Sequence, residues 1–217
     1  MVIHVRTIRV ILADDHHMVR QSLAQVLGAD SGIEVVGHAG GGREALELCS
    51  RVEADVLVLD YGLPDLDGAA VSSALRKEGR PVKVVILTVH DNVHYVLKAL
   101  DAGAQGFIVK SDALDELVRA IRTVAEGETY ITPHLAEKVR QHQRGPKGRH
   151  IGLDKLSQRE FELLRLMGQG MSLQRCAVQM HISESTASTY RARLMTKLEL
   201  ADTAQIIRFA IENGIVT

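Results

Sequence analysis

The sequence predicts a doubly wound α/β domain with a five-stranded parallel sheet, followed by a small all-α domain. Three observations support this. Apolar runs of strand length alternate with helical patterns through residues 1–131. Most of those runs are continuous and β-branched rather than alternating, which marks strands buried on both faces of a parallel sheet. From Leu156 to the end the pattern is wholly helical. The 217 residues accommodate one or two domains at roughly 100–200 residues each.

In chain order, residues 9–13, 33–38, 54–60, 82–88 and 106–110 read as strands. Residues 18–27, 43–51, 69–77, 93–102 and 114–126 read as the helices between and after them. Five βα units in series give the doubly wound arrangement. Gly79, Gly103 and Gly127 each sit just past a helical run, where helix ends favour glycine. Trp is absent and aromatics make up 3% of the chain, so the core is expected to be mostly aliphatic.

Residues 132–155 read as a connection. A short helix is expected to about Gln143, then a flexible basic linker. Gly145, Pro146, Gly148 and Gly152 interrupt regular structure there. Lys138, Arg140, Arg144, Lys147, Arg149 and Lys155 are offset by Glu137 and Asp154. A simple tether is the plainest role for such a segment.

Residues 156–217 form the second domain. Ser157 and Glu160 have the spacing of a capping box at a helix start. Phe161, Leu164 and Met167 follow at helical spacing, and Gly168 and Gly170 end the helix. Ser172 caps a second helix that ends near Met180. Residues 181–183 turn the chain, and Ser183 caps a third helix over 184–198. A fourth covers 203–213.

The net charge of −1 hides a division. Residues 1–132 carry 13 basic and 19 acidic side chains, a net of −6. Residues 133–217 carry 13 and 8, a net of +5. The second half is therefore expected to meet an anionic partner. No apolar run of about 18 residues is present, and Met1 to Thr7 lacks the pattern of a secretory signal. Cys49 and Cys176 are isolated and form no ligand spacing or disulfide framework. A reducing cytoplasm and no membrane partner are expected.

Ligands of doubly wound sheets bind outside the carboxyl ends of the strands. Those ends carry Asp14 and Asp15 after the first strand, Asp60 at the third, Thr88 at the fourth and Lys110 at the fifth. Three carboxylates in one cleft repel one another unless a cation neutralises them. All-oxygen ligands suit Mg²⁺. Asp60 then reads as a carboxylate nucleophile that accepts a phosphoryl group. Mg²⁺ and Lys110 would offset charge on the transferring oxygens, with the Thr88 hydroxyl as a donor. An isolated Asp pair is often a solvated turn, and a lone strand-end Lys a surface charge. Five such residues in order at four strand ends outweigh that reading. His16 and His17 are adjacent, and His90 and His94, four apart, could share a helix face and bind a metal, but no further Cys or His completes that set.

The segments 12–16 (LADDH), 59–60 (LD) with Pro64 and Gly68, 87–88 (LT) and 106–110 (GFIVK) resemble the flavodoxin-like receiver domain of two-component response regulators. The resemblance covers residues 8–130. It implies that Asp15, Asp60 and the Gly62 backbone carbonyl bind Mg²⁺, with Asp14 acting through water. It implies that Phe107 is a switch aromatic, moving inward as Thr88 approaches the phosphoryl group. An ordinary core aromatic is the alternative reading of Phe107. Ser111 stands where many receivers have Pro, as is common in the NarL/FixJ subfamily.

Residues 156–160 (LSQRE), Leu164, 170–172 (GMS), Ala177, 182–186 (ISEST), Tyr190, Arg191, Lys197 and Leu198 resemble the LuxR-type helix-turn-helix. With a receiver in front, the architecture resembles the NarL/FixJ family. A recognition helix presents its N-terminal half to the major groove. In helix 184–198 the expected inner face is Ala187, Leu194 and Leu198. The expected outer residues are Ser188, Thr189, Arg191, Ala192 and Arg193. Arg191, Arg193 and Lys197 are candidates for phosphate contacts. Cys176, Ala187 and Tyr190 depart from the Ile, Val and His often found in the family.

The resemblance implies a transcription regulator rather than a turnover enzyme. A histidine kinase would phosphorylate Asp60, and the product would dimerise on a DNA repeat and contact RNA polymerase. The alternative is a DNA-binding regulator that works without phosphorylation and uses the receiver as a dimer module. Gly62 offers no side chain to position water, so slow self-hydrolysis is expected. His90 is the other position considered for that role.

Overall fold

A computed structural model describes residues 6–89, 93–144, 152–213 and 215–216. The chain divides into two compact units, Met1–Arg144 and Gly145–Thr217.

The first unit alternates strands and helices: β1 (Ile8–Ala13), α1 (His17–Gly28), β2 (Ile33–Ala39), α2 (Gly42–Arg51), β3 (Val56–Asp60), α3 (Gly68–Lys77), β4 (Lys83–Thr88), α4 (Val93–Ala102), β5 (Gly106–Val109), α5 (Ala113–Ala125), β6 (Tyr130–Ile131) and α6 (Pro133–Arg144). All strand pairs are parallel, in the order β2-β1-β3-β4-β5-β6. The order reverses at β1, which is the switch point of a doubly wound sheet. Every residue of β3 is buried, as is every residue of β5. Val10, Leu12, Val58, Val85 and Ile108 form a core with Leu117, Ile121 and Val124 of α5.

The five-stranded expectation is corrected to six. β6 pairs with β5 through Tyr130 N–H to the Gln105 carbonyl (2.9 Å) and Thr132 N–H to the Phe107 carbonyl (3.1 Å). Two residues show no periodicity, and this strand exists because β5 offers it an open edge. β5 also stops at Val109, and Lys110 opens a 3₁₀ turn instead of closing the strand. α6, read from sequence as part of the connection, lies in the first compact unit and packs against α4. Its Leu135 and Val139 are buried. Of the basic linker expected from about Gln143 to Lys155, residues 145–151 lie outside the described residues, and Leu153–Lys155 form a 3₁₀ turn.

The second unit contains a 3₁₀ turn (Leu153–Lys155), α7 (Gln158–Gly168), α8 (Leu173–Gln179), α9 (Glu184–Leu198) and α10 (Thr203–Glu212). Each helix has a side-chain cap at its start: Ser157, Ser172, Ser183 and Asp202 accept from the backbone three residues on. α7 and α10 approach so closely that a Cβ on Gly168 would lie 2.5 Å from that of Ala210. The turn between α8 and α9 passes through His181 at φ 53°, a left-handed residue after the helix end. Among the described residues no helix is long and apolar enough to cross a membrane.

Candidate functional site

Parallel register brings the predicted residues to one end of the sheet. Asp60 pairs with Leu87, and Thr88 pairs with Val109, the residue before Lys110. Asp14 follows β1, where its N–H donates to the Ala39 carbonyl at 3.1 Å. Asp14, Asp60 and Thr88 are buried, at 1%, 6% and 1% exposure.

Lys110 ties these strands together. Its Nζ lies 2.7 Å from Asp14 Oδ2 and 3.1 Å from Asp60 Oδ2. Burial pushes the Asp60 carboxyl up; Lys110 pulls it down and the Asp14 charge pushes it up, leaving it above the ordinary value. Burial lowers Lys110, but Asp60 and Asp14 outweigh it and hold the ammonium above its ordinary value. The Gly62 N–H donates to the Asp60 carboxylate. Arg20 donates to the Asp14 backbone carbonyl.

One ligand atom each from Asp14, Asp15, Asp60 and His16 lies within 4.8 Å of the others. The adjacent histidines His16 and His17 show no metal-ligand pattern in the sequence, yet His16, which directly follows the Asp pair, joins this cluster. Its Nδ1 lies 2.7 Å from Asp15 Oδ1, and its N–H donates to Asp14 Oδ1 at 2.8 Å. The three carboxylates fit a hard, oxygen-preferring divalent cation, whereas an imidazole is a poor ligand for one. His90, the other histidine considered, lies outside the described residues. Phe107 is fully buried on β5, opposite Ile86.

A second residue missed by sequence is Asp65, in the loop after β3. Its carboxylate accepts from Gly42 N–H (2.7 Å), Arg43 N–H (2.9 Å) and Leu66 N–H (2.9 Å). Partners 22 and 23 residues away leave no local pattern to read.

In the second unit, α9 buries Ala187, Leu194 and Leu198 and exposes Ser188, Thr189, Ala192 and Arg193. Arg191 is half-buried. The Thr189 hydroxyl donates to the Ser185 carbonyl at 3.1 Å, which leaves its lone pairs and methyl free to face outward. Lys197 differs from expectation. Its Nζ lies 2.5 Å from Oε2 of Glu160, a residue only 2% exposed. The same carboxylate oxygen accepts the Ser157 N–H at 2.7 Å and closes the capping box. The Lys197 charge is therefore paired inside the domain, which argues against the phosphate contact expected of it.

Comparison with known proteins agrees with both units. Residues 10–122 match the response regulator receiver domain. Residues 154–210 match the bacterial regulatory proteins of the luxR family. The response regulator UvrY of Escherichia coli K12 is 31% identical over 208 residues, covering 96% of this chain and 95% of that one. The response regulator VraR of Staphylococcus aureus is 31% identical over 210 residues, covering 97% and 99%. Among solved structures, the receiver domain of NarL from Mycobacterium tuberculosis is 36% identical, with a TM-score of 0.55. It covers 57% of this chain and 99% of its own. The chain belongs to the NarL/FixJ family of response regulators, a receiver domain followed by a LuxR-type DNA-binding domain.

Proposed function

We propose that Asp60 accepts a phosphoryl group from a histidine kinase and that this modification controls dimerisation and sequence-specific DNA binding. The family makes the chain a DNA-binding transcription regulator. The observation that carries the finer reading is the Lys110 ammonium set between buried Asp14 and Asp60 at the strand ends.

In this reading an Asp60 carboxylate oxygen attacks the phosphorus of a phosphohistidine. The new O–P bond forms as the N–P bond breaks, and the imidazole leaves. Lys110 balances the negative charge that then gathers over the strand ends. The Thr88 hydroxyl donates to a phosphoryl oxygen, and Phe107 follows Thr88 as the switch aromatic. The three clustered carboxylates fit Mg²⁺, which Asp15, Asp60 and the Gly62 carbonyl would hold, with Asp14 through water. Such a cation neutralises phosphoryl oxygens and lets a carboxylate approach them.

On DNA, Ser188, Thr189 and Ala192 face the major groove, and Arg191 and Arg193 meet phosphates. Short groove-facing side chains give weak base discrimination, so dimerisation on a two-fold repeat supplies the rest. RNA polymerase is the expected downstream partner. The test is incubation with acetyl phosphate and Mg²⁺, followed by intact-mass measurement. The parent chain should gain an alkali-labile phosphoryl group, and Asp60→Asn should gain none. Equal labelling of Asp60→Asn would remove the site assignment.

A further inference from the structure

The loop between β3 and α3 runs from Tyr61 to Asp67 and carries Gly62. Its ends are fixed locally. Tyr61 N–H donates to the Leu87 carbonyl at 2.7 Å, and Gly68 N–H donates to the Tyr61 carbonyl at 2.9 Å. Asp67 caps α3 by accepting the Ala70 N–H at 2.7 Å. The middle of the loop is tied elsewhere, to the start of α2.

That helix begins without a cap of its own, because its N-cap residue is Gly41. The first-turn N–H groups of a helix have no partner within it. Here Asp65 supplies the acceptors, one oxygen for Gly42 and the other for Arg43. The loop lies against the helix start so closely that a Cβ on Gly42 would sit 2.7 Å from Leu66 Cβ and 3.0 Å from the Leu66 carbonyl oxygen. A larger residue there would push the loop away. The Asp65 carboxylate thus bridges two segments that chain connectivity alone leaves independent.

We propose that Asp65 is a positioning residue for phosphoryl transfer. It caps α2 from the loop and so fixes the Gly62 backbone beside Asp60. This rests on the reading of Asp60 as phosphoacceptor with Mg²⁺ at Asp15, Asp60 and Gly62. Asp65 touches none of the reacting atoms. Its effect passes through the three-residue stretch back to Gly62, whose N–H donates to the Asp60 carboxylate.

A role limited to stabilising α2 makes a different prediction, and one double variant separates the two. Gly41→Ser gives α2 a cap of its own, since Ser is a favoured N-cap residue. Combined with Asp65→Ala, it repairs the helix start and leaves the loop untied. The full chain is compared as parent, Asp65→Ala, Asp65→Asn and Asp65→Ala/Gly41→Ser, at a temperature where all are folded. Mg²⁺ affinity is read by titration calorimetry without a phosphodonor. The Mg²⁺ dependence of labelling by acetyl phosphate and the thermal midpoint are read alongside. Asp65→Ala should lower the midpoint and weaken Mg²⁺ binding about tenfold, the low end for groups that orient metal ligands. Asp65→Asn, which keeps one oxygen acceptor, should fall between. The double variant should regain the midpoint and keep the weak Mg²⁺ binding and the raised Mg²⁺ half-saturation. Parental Mg²⁺ affinity in Asp65→Ala, or its return with the midpoint in the double variant, overturns the proposal and leaves Asp60 as phosphoacceptor intact. A parent chain that neither binds Mg²⁺ nor is labelled on Asp60 overturns both.

Discussion

Lys197→Met removes the ammonium from α9 and keeps most of its apolar stem. Glu160, 2% exposed, would then retain the Ser157 N–H but lose its counter-charge. Removing one partner of a fully buried pair costs about 3–5 kcal/mol. The Lys197 side chain is 35% exposed, so water replaces part of the lost interaction. A cost of about 1–2 kcal/mol is the expected remainder. For a unit the size of Gly145–Thr217, each kcal/mol shifts the midpoint by about 4–8 °C, so a fall of about 10 °C is expected. Calorimetry on the full chain reads this as a shift of the second unit's transition. DNA binding supplies the second half of the test. Because Glu160 already neutralises Lys197, the slope of log affinity against log salt should be parental at temperatures where the variant is folded. An unchanged midpoint together with a slope reduced by about 1 would refute this reasoning and return Lys197 to the phosphate contacts.

Four further outcomes are expected. Burial pushes Glu160 up, but Lys197 and the Ser157 bonds outweigh it, so its folded carboxyl lies below its ordinary value of 4.5. The stabilisation it gives is present above that value and is lost as pH falls through the folded one. The second unit's midpoint should therefore drop in acid in the parent and much less in Glu160→Gln, as thermal scans across pH 3–6 would show. Lys110→Ala should leave buried Asp14 and Asp60 without their shared cation and uncouple phosphorylation from DNA affinity. Gel-shift titrations of labelled and unlabelled protein check this. Arg193→Ala should weaken binding to all sequences alike and reduce the salt slope by about 1. Thr189→Ala should instead change base preference across a panel of single-base operator variants.

What could be read from sequence followed from how local each signal was. Most of the five longer strands were legible because buried parallel strands are continuous apolar runs, as Val56–Leu59 is before Asp60 closes β3. Tyr130–Ile131 was not, because its pairing depends on the free edge of β5. Asp14, Asp60, Thr88 and Lys110 could be grouped because strand ends in a parallel sheet share one face. The Asp65 bridge and the Lys197–Glu160 pair were hidden for a common reason. Each joins a side chain to a partner brought close only by tertiary packing. A lysine near two arginines on a helix reads as one more solvent-facing charge until the buried carboxylate across from it is seen. The inner face of α9 was legible because Ala187, Leu194 and Leu198 keep helical spacing.

The most direct test of phosphorylation control is DNA affinity measured on one preparation before and after labelling with acetyl phosphate and Mg²⁺. The operator is one recovered by selection with the labelled protein, and Asp60→Asn is carried in parallel. A coupling free energy of about 1–3 kcal/mol is typical between linked sites, so labelling should tighten parental binding about 5- to 150-fold. Asp60→Asn should bind alike under both conditions. Parental affinity that does not change on stoichiometric labelling of Asp60 would contradict phosphorylation control and favour a regulator whose receiver acts without the phosphoryl group.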